Sequence, residues 1–300
     1  MQEYVGRFAP SPTGSLHLGS LLAAVGSFVD ARRHGGRWLL RMEDLDQARV
    51  VPGAASAMLR TLERFGLEWD GEVQYQSRRR EHYAAALARL TALGLTFECS
   101  CSRRELESEA GAVPRAYRGT CRAGPQRPGP TATRFRVSDE TLSFEDRIHG
   151  ACRFELAALG DVVVRRRDGA FAYQLAVVVD DAAQAVSDVV RGADLLDNTP
   201  WQLALQRALS LPAPRYAHLP LVLEPSGDKL AKSRRSVAVS PADTGKQLHQ
   251  VLSLLGQRPP AELKLEPPLV ILQWAQTHWR PAQIPRAPQI ATEVGFAEPM

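Results

Sequence analysis

Arg7-Phe8-Ala9-Pro10-Ser11-Pro12-Thr13-Gly14-Ser15-Leu16-His17-Leu18-Gly19-Ser20 is the stretch on which the reading of the fold turns. The mostly apolar run Tyr4 to Ala9 reads as a strand, and Pro10 to Gly14 as a loop. Leu18, Leu21, Leu22, Val25, Phe28 and Val29 then recur at helical spacing as far as about Arg33. A strand that enters a helix through such a loop offers unpaired backbone N–H groups to an anion. Gly14 and Gly19 let backbone and ligand approach closely, and His17 can donate to a phosphate near neutral pH.

The pattern continues outward from this unit. Gly35-Gly36 stops the first helix, and Trp38 to Met42 reads as a strand. Met58, Leu62 and Phe65 mark a second helix; Tyr83, Leu87, Leu90 and Leu93 mark a third. Strands alternating with helices predict an α/β fold with a parallel sheet. Near Glu98 the periodicity breaks. Cys99 to about Glu155 is read as an inserted module, Arg-rich and with a Gly/Pro stretch from Gly124 to Pro130. Inside it, Ser102-Arg103-Arg104-Glu105 fits a capping box that opens a short helix. The α/β pattern returns with Asp161 to Val164 and Ala172 to Val179, followed by a helix over Pro200 to Leu209 and a strand around Leu219 to Leu223. Two or three short, Pro-interrupted helices close the chain. The division expected is 1–98 and 156–240 for the two halves of a catalytic domain, 99–155 for the insertion and 241–300 for a helical C-terminal region.

Composition sets the class. In 300 residues, hydrophobic residues are 44% and charged residues 23%, values of a globular chain. Net charge is +4, compatible with phosphate or RNA partners without requiring either. Apolar runs such as Leu175 to Val179 fall far short of the roughly 18 residues of a membrane span. No basic-then-apolar leader opens the sequence, and four Cys do not make a disulfide scaffold. A cytoplasmic monomer is expected. The Arg runs Arg78 to Arg80 and Arg165 to Arg167 are read as solvated faces more than RNA contacts.

Two further motifs carry chemistry. Asp228-Lys229-Leu230-Ala231-Lys232-Ser233 follows a strand and the turn Pro225-Ser226-Gly227. The chain holds 33 Arg but only four Lys, and two of the four fall here, where a compact ammonium differs chemically from a guanidinium. Lysines three apart can neutralise a departing pyrophosphate. Cys99, Cys101 and Cys121 suit a tetrahedral zinc site that lacks one ligand. Candidates for the fourth are Tyr117, His149 and Cys152; spacing alone favours His or Cys, because a phenol has a pKa near 10.

Together these motifs resemble the class I aminoacyl-tRNA synthetases in their glutamate-handling form. His17-Leu18-Gly19-Ser20 stands for the first signature tetrad, with Ser20 where His is usual, and Asp228 to Ser233 for the lysine signature. The similarity covers roughly residues 4 to 240. It implies a Rossmann-type catalytic domain, ATP bound with Mg2+ by His17, Gly19, Lys229 and Lys232, and catalysis by His17 and Lys232. It implies L-glutamate held by Arg7, Ala9, Ser11, Glu43, Tyr173 and Arg191. Chemically the set is sensible: Arg forks meet carboxylates and Glu43 meets an ammonium. It also implies Tyr117 as the fourth ligand of one structural zinc beside Cys99, Cys101 and Cys121, with Cys152 a small core residue. The region 241–300 that follows the catalytic part holds only sixty residues, too few for the anticodon-binding part of a full synthetase. In this the chain resembles the short glutamyl-queuosine branch, which implies transfer of glutamate to the cyclopentene diol of queuosine in tRNA(Asp). The alternatives are a minimal enzyme charging a tRNA 3′ end and a non-catalytic adenylate- or tRNA-binding regulator. Intact Lys232, His17 and Glu43 argue against the regulator, and short length against the conventional enzyme.

Overall fold

The computed structural model describes residues 3–102, 105–106, 117, 119–223, 239–240, 242–287 and 289–291. Strand β1 (Val5–Phe8) is followed by helix α1 (Leu18–Arg33), β2 (Arg37–Met42), α2 (Ala54–Arg64), β3 (Gln74–Tyr75) and α3 (Arg80–Ala92). β1, β2 and β3 pair in parallel in that order. Gly36 makes the tight entry into β2 possible, since a Cβ there would lie 2.3 Å from the Tyr4 carbonyl oxygen.

β4 (Thr96–Cys99), β5 (Ala132–Phe135) and β8 (Val162–Arg165) form a separate antiparallel sheet in the order β4-β5-β8. Between β5 and β8 lie β6 (Thr141–Asp146), β7 (Gly150–Glu155) and the one-turn α4 (Leu156–Leu159). The hairpin β6–β7, grouped from sequence with the insertion over 99–155, does not join that sheet. It pairs with β10 (Arg215–Leu219), giving a second sheet of order β7-β6-β10-β9. There β9 (Asp188–Gly192) and β6 both run parallel to β10. The first and second sheets meet along β1 and β9, where the Ser187 N–H donates to the Val5 carbonyl at 3.0 Å.

Helices α5 (Tyr173–Ala183) and α6 (Thr199–Ala208) flank β9, and α7 (Thr244–Leu254) and α8 (Pro268–His278) pack in the same core as α1. β11 (Leu221–Leu223) pairs in parallel with β12 (Gln289–Ala291), a strand the sequence had not suggested. Two helices in the C-terminal region match the expectation of short apolar ones. Arg79 departs from its reading as a solvated residue: its Nε donates to the buried Asp180 at 2.6 Å. The capping box is present, with the Ser102 hydroxyl donating to Glu105 at 2.8 Å and accepting the Glu105 N–H at 3.3 Å. No helix among the described residues is long and apolar enough to cross a membrane.

Candidate active site and cysteine cluster

From β1 the chain leads to β2 on one side, while β9 lies on the other, so the strand order reverses between β1 and β9. A parallel sheet opens a crevice beyond its strand ends at such a point. A cleft of about 700 Å3 lies there, lined by the residues that follow β1, β2, β9 and β10 and by the start of α1. Arg7, Ala9, Ser11, His17, Gly19, Glu43, Tyr173 and Arg191 all face it. Residues scattered over nearly two hundred positions are thus brought to one cavity by the sheet. Lys229 and Lys232 lie outside the described residues. Of their described neighbours in sequence, Val222 lines the cleft and the Val239 N–H donates to the Leu16 carbonyl at 2.9 Å.

At the phosphate end, His17 caps α1. Its Nδ1 accepts the Ser20 N–H at 3.2 Å, and its Nε2 lies 3.0 Å from the Ser20 hydroxyl. Burial, opposed by Asp194, holds His17 below the usual imidazole range, so it is neutral at pH 7. An Nδ1 that accepts a backbone N–H leaves the proton on Nε2, which makes a neutral donor for an anion in the cleft. Ser20, where His is usual in the signature, keeps a hydroxyl in the same cleft. A Cβ at Gly19 would stand 3.2 Å from the His17 ring, close enough to push that ring from its place.

At the amino-acid end, Arg7 Nε lies 3.3 Å from Asp181 Oδ1 and the wholly buried Arg41 lies 2.6 Å from the same oxygen. Arg41 also reaches Glu43 at 4.0 Å. Burial, opposed by Arg41 and Arg7, raises the Glu43 carboxyl to about 7. Asp180 lies 3.9 Å from Arg41 Nε and is held by hydrogen bonds from Gln76, Arg79 and Tyr83. Tyr173 opens α5, and Asp180 and Asp181 stand two turns on along the same helix. Arg191 extends from β9 to Tyr173, Gln202, Thr199 and His218. The sequence reading gave no role to Arg41, Asp146, Asp181, Gln202 or His218. A buried acid pair at Asp180-Asp181 inside an apolar helix was the one local sign of it.

The cysteine cluster lies apart, at the end of β4. The Sγ atoms of Cys99, Cys101 and Cys121 all fall within 4.8 Å of one another. The Tyr117 hydroxyl accepts from the Cys99 thiol at 3.6 Å and lies 3.9 Å from Cys101 Sγ. Four ligands around zinc at about 2.3 Å place sulfurs roughly 3.8 Å apart, so this grouping fits that ion. Three thiols and a phenol are a donor set that suits zinc. Burial pushes the Cys121 thiol up, but hydrogen bonds from Tyr117 and neighbouring groups outweigh it and bring it down to about 6, toward the thiolate that binds metal, whereas burial pushes the Cys101 thiol up to about 12. Arg134 stacks 3.9 Å above the Tyr117 ring. The other two candidates lie elsewhere: Cys152 is on β7 opposite Phe144, and His149 Nε2 faces the His218 carbonyl at 3.0 Å.

The family described as tRNA synthetases class I (E and Q), catalytic domain, matches residues 3–251. The chain is 53% identical over 289 residues to the glutamyl-Q tRNA(Asp) synthetase of Ectopseudomonas mendocina, a match that spans 96% of this chain and 97% of that one. It is 51% identical over 292 residues to the protein of the same name from Pseudomonas aeruginosa, over 97% and 98% of the two chains. For that of Thiobacillus denitrificans the figure is 51% over 293 residues, covering 96% and 97%. In fold the chain is similar to the glutamate-tRNA synthetase of Elizabethkingia anophelis, with a TM-score of 0.80 and 24% identity over 97% of this chain and 68% of the other. It is similar too to a glutamate tRNA ligase from Elizabethkingia meningosepticum, with a TM-score of 0.78 and 24% identity over 95% and 66%. The chain therefore spans about two thirds of the length of those solved structures.

Proposed function

The chain belongs to the class I tRNA synthetases that handle glutamate and glutamine, and we propose that it is a cytoplasmic ligase which activates L-glutamate with MgATP and passes the glutamyl group to the cyclopentene diol of queuosine in tRNA(Asp). The observation that carries the acceptor is the match, over 96% of this chain, to a relative named glutamyl-Q tRNA(Asp) synthetase. The cleft supports the activation step. His17, neutral with its proton on Nε2, donates to the ATP phosphates at the α1 terminus, with Gly19 leaving room. Glu43 takes the ammonium of the amino acid, beside Ala9 and Ser11. Arg7 and Arg191 take its carboxylates, with the Tyr173 hydroxyl between. Attack of the α-carboxylate on the α-phosphorus expels pyrophosphate, whose charge Lys229 and Lys232 balance. Loss of one such contact in Lys232→Ala slows adenylate formation at least tenfold, since a transition-state charge contact is worth about 2.7–4 kcal/mol.

Cys99, Cys101, Cys121 and Tyr117 would hold one zinc. The ion would tie β4 to the segment that carries Tyr117 and Cys121, a structural role away from the reacting groups. The acceptor is tested with labelled glutamate, ATP and Mg2+ on tRNA(Asp) from cells that do or do not make queuosine. Label is expected on the queuosine-containing RNA alone, and RNA whose 3′ terminal diol has been oxidised beforehand with queuosine protected should still accept it. Label on queuosine-free RNA would restore the minimal conventional synthetase.

A further inference from the structure

Arg191 is 5% exposed, and all five of its N–H groups meet uncharged acceptors. Nε–H donates to His218 Nε2 at 3.0 Å. One terminal nitrogen donates to Gln202 Oε1 at 2.8 Å and to the Tyr173 hydroxyl at 3.3 Å. The other donates to Thr199 Oγ1 at 2.8 Å and to the Leu195 carbonyl at 3.3 Å. Arg7 and Arg41, across the cleft, are both paired with Asp181. No ion pair reaches Arg191 among the described residues. A buried cation without a counter-charge is costly, and this one lines a cleft open to ligand.

Behind Arg191 a carboxylate is present but one imidazole away. His218, wholly buried near the end of β10, presents Nδ1 to Asp146 Oδ2 at 2.6 Å. Asp146 Oδ1 is already held by the Ile148 and His149 N–H groups, each at 3.0 Å. Asp146 stays ionised: burial would raise it, but the hydrogen bond from His218 and those backbone donors outweigh burial and lower it. An ionised carboxylate takes the Nδ1 proton, which leaves Nε2 a lone pair, and the Arg191 Nε–H is the donor that meets it. Burial, opposed by Asp146 and reinforced by Arg191, takes His218 down to about 4, so the neutral ring persists at pH 7.

We propose that His218 is a positioning residue: bridged to Asp146, it fixes the Arg191 guanidinium through a neutral acceptor and so keeps the charge of Arg191 for a carboxylate of the amino-acid substrate. This rests on the glutamate-activating reading above. An acid in place of His218 would cancel the charge; an aliphatic residue would leave Nε–H unpaired and the fork free to turn. The bridge also gives the β6–β7 hairpin a place in the catalytic sheet, since β6 ends on Asp146 beside Tyr216 of β10.

Two substitutions separate the two ends of the bridge. His218→Gln keeps an acceptor toward Arg191, and His218→Asn keeps only a donor toward Asp146. In glutamate-dependent ATP–pyrophosphate exchange, His218→Asn should raise KM for glutamate about tenfold, the factor for one lost hydrogen bond to a charged group. Its kcat and its KM for ATP should stay near those of the parent, and His218→Gln should recover most of the glutamate KM. In the unsubstituted protein, 15N spectra of the His218 ring should show a protonated Nδ1 and an unprotonated Nε2 at pH 7. A protonated Nε2, an unchanged glutamate KM in His218→Asn, or an equal rise in both KM values overturns the proposal. Absence of exchange with glutamate in the unsubstituted protein overturns the glutamate reading instead, and the ring spectra still decide whether the bridge is neutral.

Discussion

Arg7 and Arg41 converge on a single oxygen, Asp181 Oδ1, at 3.3 Å and 2.6 Å. One acid on α5 therefore ties the strand end that carries Arg7 to β2, which carries Arg41. Asp180 stands farther off, 3.9 Å from Arg41 Nε, and is itself held by Gln76, Arg79 and Tyr83. Asp181→Asn keeps the volume and removes the charge, leaving two buried guanidinium groups without their shared partner. Breaking a buried pair in this way costs about 3–5 kcal/mol. Denaturant unfolding should show a loss of that order. A variant within about 0.5 kcal/mol of the parent, the range of ordinary surface changes, would show the pair to be dispensable.

Glu43 gives the site a pH dependence. Its carboxyl is raised by burial from an ordinary value near 4.5 to about 7, against the pull of Arg41 and Arg7. Below that pH it is protonated and cannot pair with the ammonium of the amino acid. The kcat/KM for glutamate in pyrophosphate exchange should therefore fall as pH drops through about 7. Glu43→Gln should be poorly active at every pH and show no such limb. Stability has the opposite sign. An acid whose folded pKa is raised binds its proton more tightly when folded, so ionisation costs stability as pH rises from about 4.5 through 7. At pH 8, Glu43→Gln should thus melt no lower than the parent. A persisting limb in that variant would assign the titration to another group.

Much of this site was legible in the sequence, for identifiable reasons. The strand–loop–helix at Arg7 to Ser20 carries its own turn residues and its own helical period, so β1 and α1 could be read locally. Glu43, Tyr173 and Arg191 could be carried over because each sits in a distinctive string. What escaped depends on pairing between distant strands. Thr141 to Glu155 reads as part of an insertion because nothing local says that Asp146 will stand beside Tyr216 on the neighbouring strand. His218 carries no local signal, since a lone buried His gains meaning from the carboxylate and guanidinium that meet it in space. The same applies to Arg79, which sits in a run of three Arg and yet turns inward to Asp180. Nor does the sequence tell the two arginines apart: Arg7 is paired with Asp181, while no ion pair reaches Arg191 among the described residues.

The cysteine cluster yields a prediction that reaches beyond its ligands. One zinc per chain is expected by elemental analysis, lost in Cys99→Ser, Cys101→Ser and Cys121→Ser and kept in Cys152→Ser. Tyr117 makes its approach beside Gly160, with which it forms a parallel bridge. Gly160 has φ +74, and a Cβ there would lie 2.4–2.5 Å from the Tyr117 backbone. Gly160→Ala is therefore strained twice over, by its dihedral and by contact, and must displace Tyr117 from the thiols. Zinc should leave this variant to a chelator faster than it leaves the parent. Equal release rates, together with full zinc in Tyr117→Phe, would remove Tyr117 from the ligand set.

Substrate choice follows from which cation in the cleft lacks an acid partner. Arg7 and Arg41 are paired with Asp181, while no carboxylate stands within ion-pair distance of Arg191 among the described residues. Glutamate brings a second carboxylate to meet that guanidinium. Glutamine is neutral overall and leaves a buried guanidinium against an amide. Sites built around a polar partner reject an analogue that lacks it by about 10⁴-fold or more. Aspartate has the right charges but is one methylene short, a defect of about 10–200-fold when it concerns packing alone. The ratio of kcat/KM values in pyrophosphate exchange should accordingly run glutamate, then aspartate, then glutamine, with the widest gap at glutamine. The Arg191→Gln variant provides the control: it should lose most of its rate with glutamate and lose the preference over glutamine with it. Glutamine activated as well as aspartate by the unsubstituted protein, or a preference for glutamate that survives Arg191→Gln, would place the discriminating charge elsewhere in the cleft.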